Sequence, residues 1–401
     1  MNQYICAFRG RRDNYQVPLA LAESGKLDQF ITDFYTDNFL KKITPILHPS
    51  WQNKLNFRLE SRIPSERVRS LLATTLIEHG CHSFGFSSTF TYAWLDQHFS
   101  QAAMSQARKT KSNLLLYTPY AWEAFLGSYR HDPQKVLFEY HPHPQFESSL
   151  LTEDFKKFPF TEKSYTQQTG HTLPEKLQRR IKDCWKYADQ ILCASSFTRQ
   201  TLIEAGAETS SCHVIPYGVD KLFPPFQKPN FEHFQALFVG SGVQRKGLHH
   251  LLYAWSRSHL PKGSQLILVC RNLDPGIESL LQETSNVRLI RGTDPQTLRN
   301  LYETSHLFIM PSLVEGFGQV FLESLSYGCP VLGTANTCLP ELGEEKDGIF
   351  LTEIGNIDKL IYQIEYLAEK LLNNNQIREQ ARACAKRFSW DDFRHKLLSF
   401  L

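Results

Sequence analysis

The chain has 401 residues, 41% of them hydrophobic and 21% charged, and a formal net charge of +3. A length of this order predicts two domains rather than one core, and the composition excludes extended disorder. Charge is nearly balanced along the chain, with 26 Lys and Arg against 22 Asp and Glu up to residue 225 and 18 against 19 beyond it, so no nucleic-acid surface is expected. The nine cysteines are scattered without a Cys-x-x-Cys pair and read as reduced, mostly buried thiols. No apolar run approaches the ~20 residues of a membrane span, and Met1-Asn2-Gln3 leads directly into a strand-like run. A cytoplasmic protein, peripheral to a membrane at most, is the expectation.

Tyr4 to Phe8 reads as a strand, followed by the loop Arg9-Gly10-Arg11-Arg12 and a helix from Tyr15 to Ser24. That is the opening of a βαβ unit. Gly10 either lets the backbone approach an anion or makes a plain tight turn. A strand over 29–34 follows. In residues 54–69, Lys54, Arg58, Arg62, Arg67 and Arg69 alternate with Leu55, Phe57, Leu59 and Ile63. This pattern fits a basic face on anionic lipid or a solvated helix face over a core. Strands are predicted at 114–117, 135–140, 190–194 and 213–216. The strand at 135–140 ends in His141-Pro142-His143-Pro144. The His-x-His spacing lacks further ligands nearby, so a metal site is not expected; a single histidine at the carboxyl end of a parallel strand is well placed for a ligand. Phe223-Pro224-Pro225 and Pro229 mark a linker.

The alternation then restarts. Strands at 236–239, 266–269, 287–290, 307–310, 331–332 and 348–351 alternate with helices, which predicts a second parallel, doubly wound sheet. There is no fixed-period repeat. The loop GSGVQRKG (240–247), with Gly242, opens a helix and carries Arg245 and Lys246, candidates for holding a diphosphate. The densest stretch is PSLVEGFGQVFLESLSYGCP (311–330). Its glycine turn and helix start suit an anion, while Glu315 and Glu323 need hydroxyl partners. Phosphate plus polyhydroxyl describes a nucleotide sugar. There is no Asp-x-Asp pair, no GxxxxGK[ST] loop, no GxGxxG after either first strand and no GxSxG elbow, which weighs against a metal held by paired aspartates, a P-loop NTPase, an NAD enzyme and an α/β hydrolase.

EGFGQVFLE, with Glu-x7-Glu from Glu315 to Glu323, resembles the signature of retaining GT-B glycosyltransferases, glycosyltransferase family four (group 1). LFVGSGVQRKG, SSFTRQTLIEAG, VIPYGVD and GCPVLGTANTCLPEL resemble the same family, over residues 185 to 390. The resemblance implies a GT-B fold, two Rossmann-like domains facing a cleft. Residues 1–225 would bind the acceptor, 226–387 the nucleotide sugar, and 388–401 would form a helix crossing back. It implies a retaining, metal-independent, hexosyl-type transferase without a cofactor, acting on a glycan or lipid-linked hydroxyl acceptor in polysaccharide biosynthesis.

Residue by residue, Glu323 would take the ribose hydroxyls, Glu315 and His141 (His143 in reserve) the transferred sugar, and Arg245 and Lys246 the diphosphate. Gly316, Phe317 and Gly318 would lie against sugar and diphosphate, with Gly10 and Gly242 in the two glycine loops, and Arg271 and Gly292-Thr293 near the base. The sequence departs from the family at Arg9-Gly10-Arg11-Arg12-Asp13, where two glycines are usual, and at Ser241, where an arginine is usual. A GT-B-type epimerase and a non-catalytic nucleotide-sugar-binding protein are the competing readings.

Overall fold

The computed structural model describes residues 2–37, 52, 55–83, 88–170, 173–220, 233–372 and 374–401. The linker prolines Pro224, Pro225 and Pro229, and Lys54 of the basic stretch, lie outside the described residues.

Seven strands build the first sheet: β1 (Tyr4–Ala7), β2 (Leu27–Thr32), β3 (Val68–Ser70), β4 (Asn113–Tyr117), β5 (Lys135–Glu139), β6 (Gln190–Cys193) and β7 (Cys212–Val214). Their spatial order is β3-β2-β1-β4-β5-β6-β7, with every pair parallel. The central strands are continuous apolar runs because helices cover both faces: β1 is wholly buried, and Leu114, Leu115 and Leu116 of β4 are inaccessible to solvent. Strand β3 was not anticipated; it has only three residues, none of them buried, at the sheet edge.

The second sheet has six parallel strands, β8 (Gln235–Val239), β9 (Gln265–Val269), β10 (Val287–Ile290), β11 (Leu307–Ile309), β12 (Val331–Thr334) and β13 (Ile349–Thr352), in the order β10-β9-β8-β11-β12-β13. These are the six strands the apolar runs predict. In both sheets the order reverses beside the first strand, which puts a crevice at the carboxyl ends there. No helix among the described residues is long and apolar enough to cross a membrane.

Helices that shape this edge are α1 (Gln16–Glu23), α2 (Pro144–Lys157), α3 (Glu162–Thr169), α4 (Glu175–Lys182), α5 (Ser196–Glu204), α6 (Leu248–Arg257) and α7 (Gln319–Ser326). The last helix, α8 (Trp390–Leu398), starts at a capping box made by Ser389 and Asp392. It returns to the first sheet: Val219 N–H donates to Phe388 at 3.0 Å, and Trp390 N–H donates to Val219 at 3.3 Å. Arg394 donates to Gln16 at 2.6 Å and pairs with Glu23 at 2.9 Å, both on α1. Phe393 packs against Tyr217 and Phe138.

Gly218 lies flat on this crossing, where a side-chain carbon would collide with the backbone of Ser389 and Trp390. Gly218→Ala is therefore expected to destabilise the protein by about 1–3 kcal/mol through overpacking. The same change is expected to make the C-terminal helix accessible to limited proteolysis before the rest of the chain. Unaltered thermal unfolding and an unaltered digestion pattern would contradict this role.

Candidate active site

Strand β11 runs into the loop 310–318, and the loop ends at Gly318 (φ 81°), which caps α7. This left-handed geometry calls for glycine. The backbone N–H groups of residues 316–320 donate to no acceptor among the described residues. They form a row of open donors at a helix start, where the dipole favours an anion.

Glu315 precedes them and is buried. Arg245 donates to its Oε2 at 2.8 Å, and the Lys246 ammonium contacts the same oxygen. Leu313 N–H donates to the Arg245 carbonyl at 2.8 Å, so the loop after β8 and the loop after β11 are stitched together. Burial alone would raise the Glu315 carboxyl, but the charges of Arg245 and Lys246 outweigh it and hold it well below the usual carboxylate range. Burial pulls the Lys246 amine down against the attraction of Glu315.

His141 follows β5 across the seam. Burial and the charge of Arg245 lower its pKa to about 3, so the imidazole is neutral at physiological pH. Beneath it, Glu139 takes a hydrogen bond from Thr118 at 2.5 Å and one from the His141 N–H at 3.4 Å. Burial raises the Glu139 carboxyl to about 7. His143, the alternative histidine, is engaged elsewhere. It caps α2, and its Nε2 lies 3.1 Å from the Lys182 carbonyl.

The structure places the other sequence-predicted positions as follows. Gly316 is pressed against the first sheet, where an added carbon would collide with the Tyr140 carbonyl. Its own carbonyl accepts from Ser195 and Thr198 of the α5 turn. The Phe317 ring is buried against Tyr217 at 5.2 Å, so it anchors the loop. Gly10 has φ 77° and gives its N–H to Asp33 at 3.0 Å. Gly242 gives its N–H to Asn272 at 2.8 Å, and an added carbon would stand 2.7 Å from Leu273. These two glycines serve a turn and a close approach, and their amides are committed within the protein. Glu323 lines a separate recess of about 250 Å³ with Asn14, Tyr327 and Trp390, and Tyr302 donates to it at 3.4 Å. Arg271 and Thr293 follow β9 and β10, and the Arg271 side chain lies over Gly292.

Sequence reasoning missed Arg12. Asp13, Asn14 and Tyr15 are three consecutive non-glycine residues with positive φ (46°, 50° and 62°), each costing about 1–2 kcal/mol. The turn is held by Tyr117, which donates to Asp13 at 2.6 Å. It stacks the Arg12 guanidinium on Tyr140 at 4.1 Å, next to His141. Two adjacent arginines after the first strand were the only signal.

A second unanticipated cluster joins the two sheets. Asp154 of α2 accepts from His249 at 3.0 Å, His250 at 2.6 Å and Gln244 at 2.8 Å. All four side chains are buried. This trio of Asp154, His249 and His250 has a composition that could ligate a metal; at these separations the Nε2 of each histidine is engaged with the Asp154 carboxylate, while the buried His249 Nδ1 has no partner among the described residues.

Residues 233–370 match the protein family described as "Glycosyl transferases group 1". Over 223 residues the chain is 26% identical to the MMP alpha-(1->4)-mannosyltransferase of Mycolicibacterium hassiacum, covering 53% of each chain. Over 238 residues it is 24% identical to O-antigen chain mannosyltransferase B of Escherichia coli, covering 54% of this chain and 61% of the relative. The chain thus spans little more than half the length of these relatives. Among solved structures it superposes on sucrose-phosphate synthase from Thermosynechococcus elongatus with a TM-score of 0.70 at 17% identity, covering 100% of this chain and 98% of the other. It also superposes on Anabaena HepE in complex with UDP and glucose, with a TM-score of 0.62 at 16% identity, covering 100% of both. The fold is GT-B.

The Asp154 cluster generates a stability prediction. Burial holds the His249 pKa down at about 4, whereas an unfolded histidine titrates near 6.5. The unfolded chain therefore binds this proton first, and the contribution of His249 is full above about pH 6.5 and is lost as pH falls towards 4. Glu139 and Glu147, raised to about 7, act with the opposite sign in that window, so the difference between wild type and His249→Gln is the clean measure. Urea unfolding at pH 4.5 and 7.5 is expected to show wild type losing on the order of 3 kcal/mol relative to the variant at the lower pH. A difference independent of pH would overturn it.

Proposed function

We infer, from the match of residues 233–370 to the group 1 glycosyltransferase family, that this protein moves a sugar from a nucleotide-diphosphate sugar to a hydroxyl acceptor with retention of configuration. The observation that carries this reading is the Glu315 cluster: two cations on one buried carboxylate, beside five open backbone donors at residues 316–320. A diphosphate fits these donors and competes for Arg245 and Lys246. The Glu315 carboxylate, freed from them, accepts from sugar hydroxyls. Neutral His141 stands opposite as a hydrogen-bond partner for the sugar, and Glu323, in its own recess, accepts from ribose hydroxyls.

In this mechanism the acceptor oxygen bonds to the anomeric carbon on the face from which the diphosphate leaves. The bond to the diphosphate oxygen breaks, and that oxygen takes the acceptor proton. Arg245, Lys246 and the amides carry the charge that develops on the leaving group. The names of the relatives favour mannose as the transferred sugar, and glycan acceptors follow from the same names.

Glu315→Ala and Lys246→Ala are each expected to lower transfer by about 10²–10³-fold while circular dichroism stays native. Thermal shift over GDP-mannose, UDP-glucose and related donors identifies the donor, because a ligand of the folded state raises its stability. Full activity in either variant would sink the assignment, as would inversion at the anomeric carbon of the product.

A lipid-linked acceptor at a membrane surface is supported by one further feature. Phe57, Leu72, Leu76 and Phe90, all more than half exposed, fall within residues 57–90. The expected basic face of residues 54–69 is largely neutralised within the protein: Arg58 pairs with Asp33 at 2.5 Å, Arg62 with Glu60 at 2.9 Å and Arg67 with Asp28 at 3.8 Å. Flotation with anionic vesicles is therefore expected to persist at about 0.5 M salt, where charge attraction is screened, and to weaken in Leu76→Asp. Vesicles that retain no protein at either salt level would remove the membrane contact.

A further inference from the structure

Beside His141, the carboxyl edge of β5 opens into a cavity of about 550 Å³, within the usual range of small-molecule sites. Its walls come from three helices of the first sheet: α2 supplies Glu147, the end of α3 supplies Gln168 and Thr169, and α4 supplies Gln178 and Lys182. Arg245 closes the side towards Glu315. Pro142, Pro144 and Ile181 add apolar surface. Amide and hydroxyl side chains both donate and accept; set beside apolar patches, they suit a ring with hydroxyls on its edge and C–H groups on its face.

Two carboxylates line this space, and they are not equivalent. Glu139 is engaged by Thr118 and by the His141 N–H. Glu147 receives no hydrogen bond from any described residue, although it is half-buried in the first turn of α2 and feels the charges of Arg245 and Glu315. Its carboxylate lines the cavity with its acceptor positions uncommitted to the protein, and a ligand hydroxyl in the cavity would donate to it. With the donor sugar between Glu315 and His141, this cavity is the adjoining space for a second substrate.

We propose that Glu147 anchors the acceptor, accepting a hydrogen bond from a hydroxyl of a sugar-terminated acceptor held between α2, α3 and α4, and so selects which hydroxyl is presented at His141. This assignment rests on the transferase reading above and adds the acceptor's chemical class and its position. Lys182, exposed at the rim, lies beyond the first ring and leaves room for a longer glycan.

The test uses the full chain with methyl α- and β-hexosides and hexose disaccharides as acceptor probes, and the donor found by thermal shift. Glu147→Gln is expected to raise the acceptor KM at least tenfold with little change in kcat, while the donor-induced shift in Tm stays at the wild-type value. Glu147→Asp is expected to recover part of the loss. Gln178→Trp, at an exposed position of α4 that faces the cavity, is expected to block transfer by filling the space while the donor shift persists.

An acceptor KM unchanged in Glu147→Gln overturns the proposal, as does parallel loss of donor shift and kcat, which would mark a structural or donor role. A wild type that responds to donor but transfers to none of these sugars also overturns it, leaving the transferase reading intact. A wild type that gains stability from no nucleotide sugar removes both.

Discussion

The contact on which the site depends is the one between Gly316 and the carbonyl of Tyr140. No side-chain carbon fits there, and Ser195 and Thr198 fasten the Gly316 carbonyl from the first sheet's side. The loop after β11 is thereby fixed against the end of β5. Because both sheets are parallel, both present carboxyl ends, and this contact brings one edge of each into register. His141 and Glu315 face one another as a consequence of backbone packing, before any electrostatic attraction between side chains is considered.

Electrostatics then decides the state of the site. A buried carboxylate with one cation is costly to desolvate, and two cations on it leave the cluster net positive. That excess, with the open amides at 316–320, makes an anion the fitting ligand. Arg12 adds a third cation near His141, held on a tyrosine face by a turn of three left-handed residues. Strain of that kind persists only where the surroundings over-determine it; here Tyr117 and the buried ring of Tyr15 do so. The same positive field, together with burial, keeps His141 neutral and able to exchange hydrogen bonds with an uncharged hydroxyl.

The alternation of apolar runs made both sheets legible, because a parallel strand buried on two faces must be apolar throughout. Edge strand β3 escaped notice because Val68-Arg69-Ser70 is buried on neither face. The Glu315 and Glu323 pair was legible through its spacing around a glycine turn. What local sequence cannot carry is the identity of distant partners. The basic stretch looked like a free cationic surface because Asp28 and Asp33, which pair with Arg67 and Arg58, belong to another strand and its exit loop. Sequence could not choose between a tight turn and an open amide at Gly10, nor show that the Gly242 amide is committed, because the acceptors, Asp33 and Asn272, lie more than twenty residues away. Glu147 carried no signal at all, since only the meeting of three helices and Arg245 makes its surroundings a cavity.

Two of these helices, α2 and α3, are also tied to the second sheet. Asp154 of α2 is held by His249, His250 and Gln244 of the second sheet, and Asp274 accepts from the Ser164 N–H of α3 at 2.7 Å. Phe160, between α2 and α3, packs so closely on Gly276 that only glycine fits. Helices α2 and α3 lie between β5 and β6 of the first sheet in sequence, yet they are bonded through buried charge to the elements that carry Arg245 and Lys246. A buried carboxylate with three donors resists separation, because parting it would leave an unpaired charge in a dry interface. The cavity wall that α2 and α3 supply and the loop that carries Arg245 and Lys246 are therefore tied together.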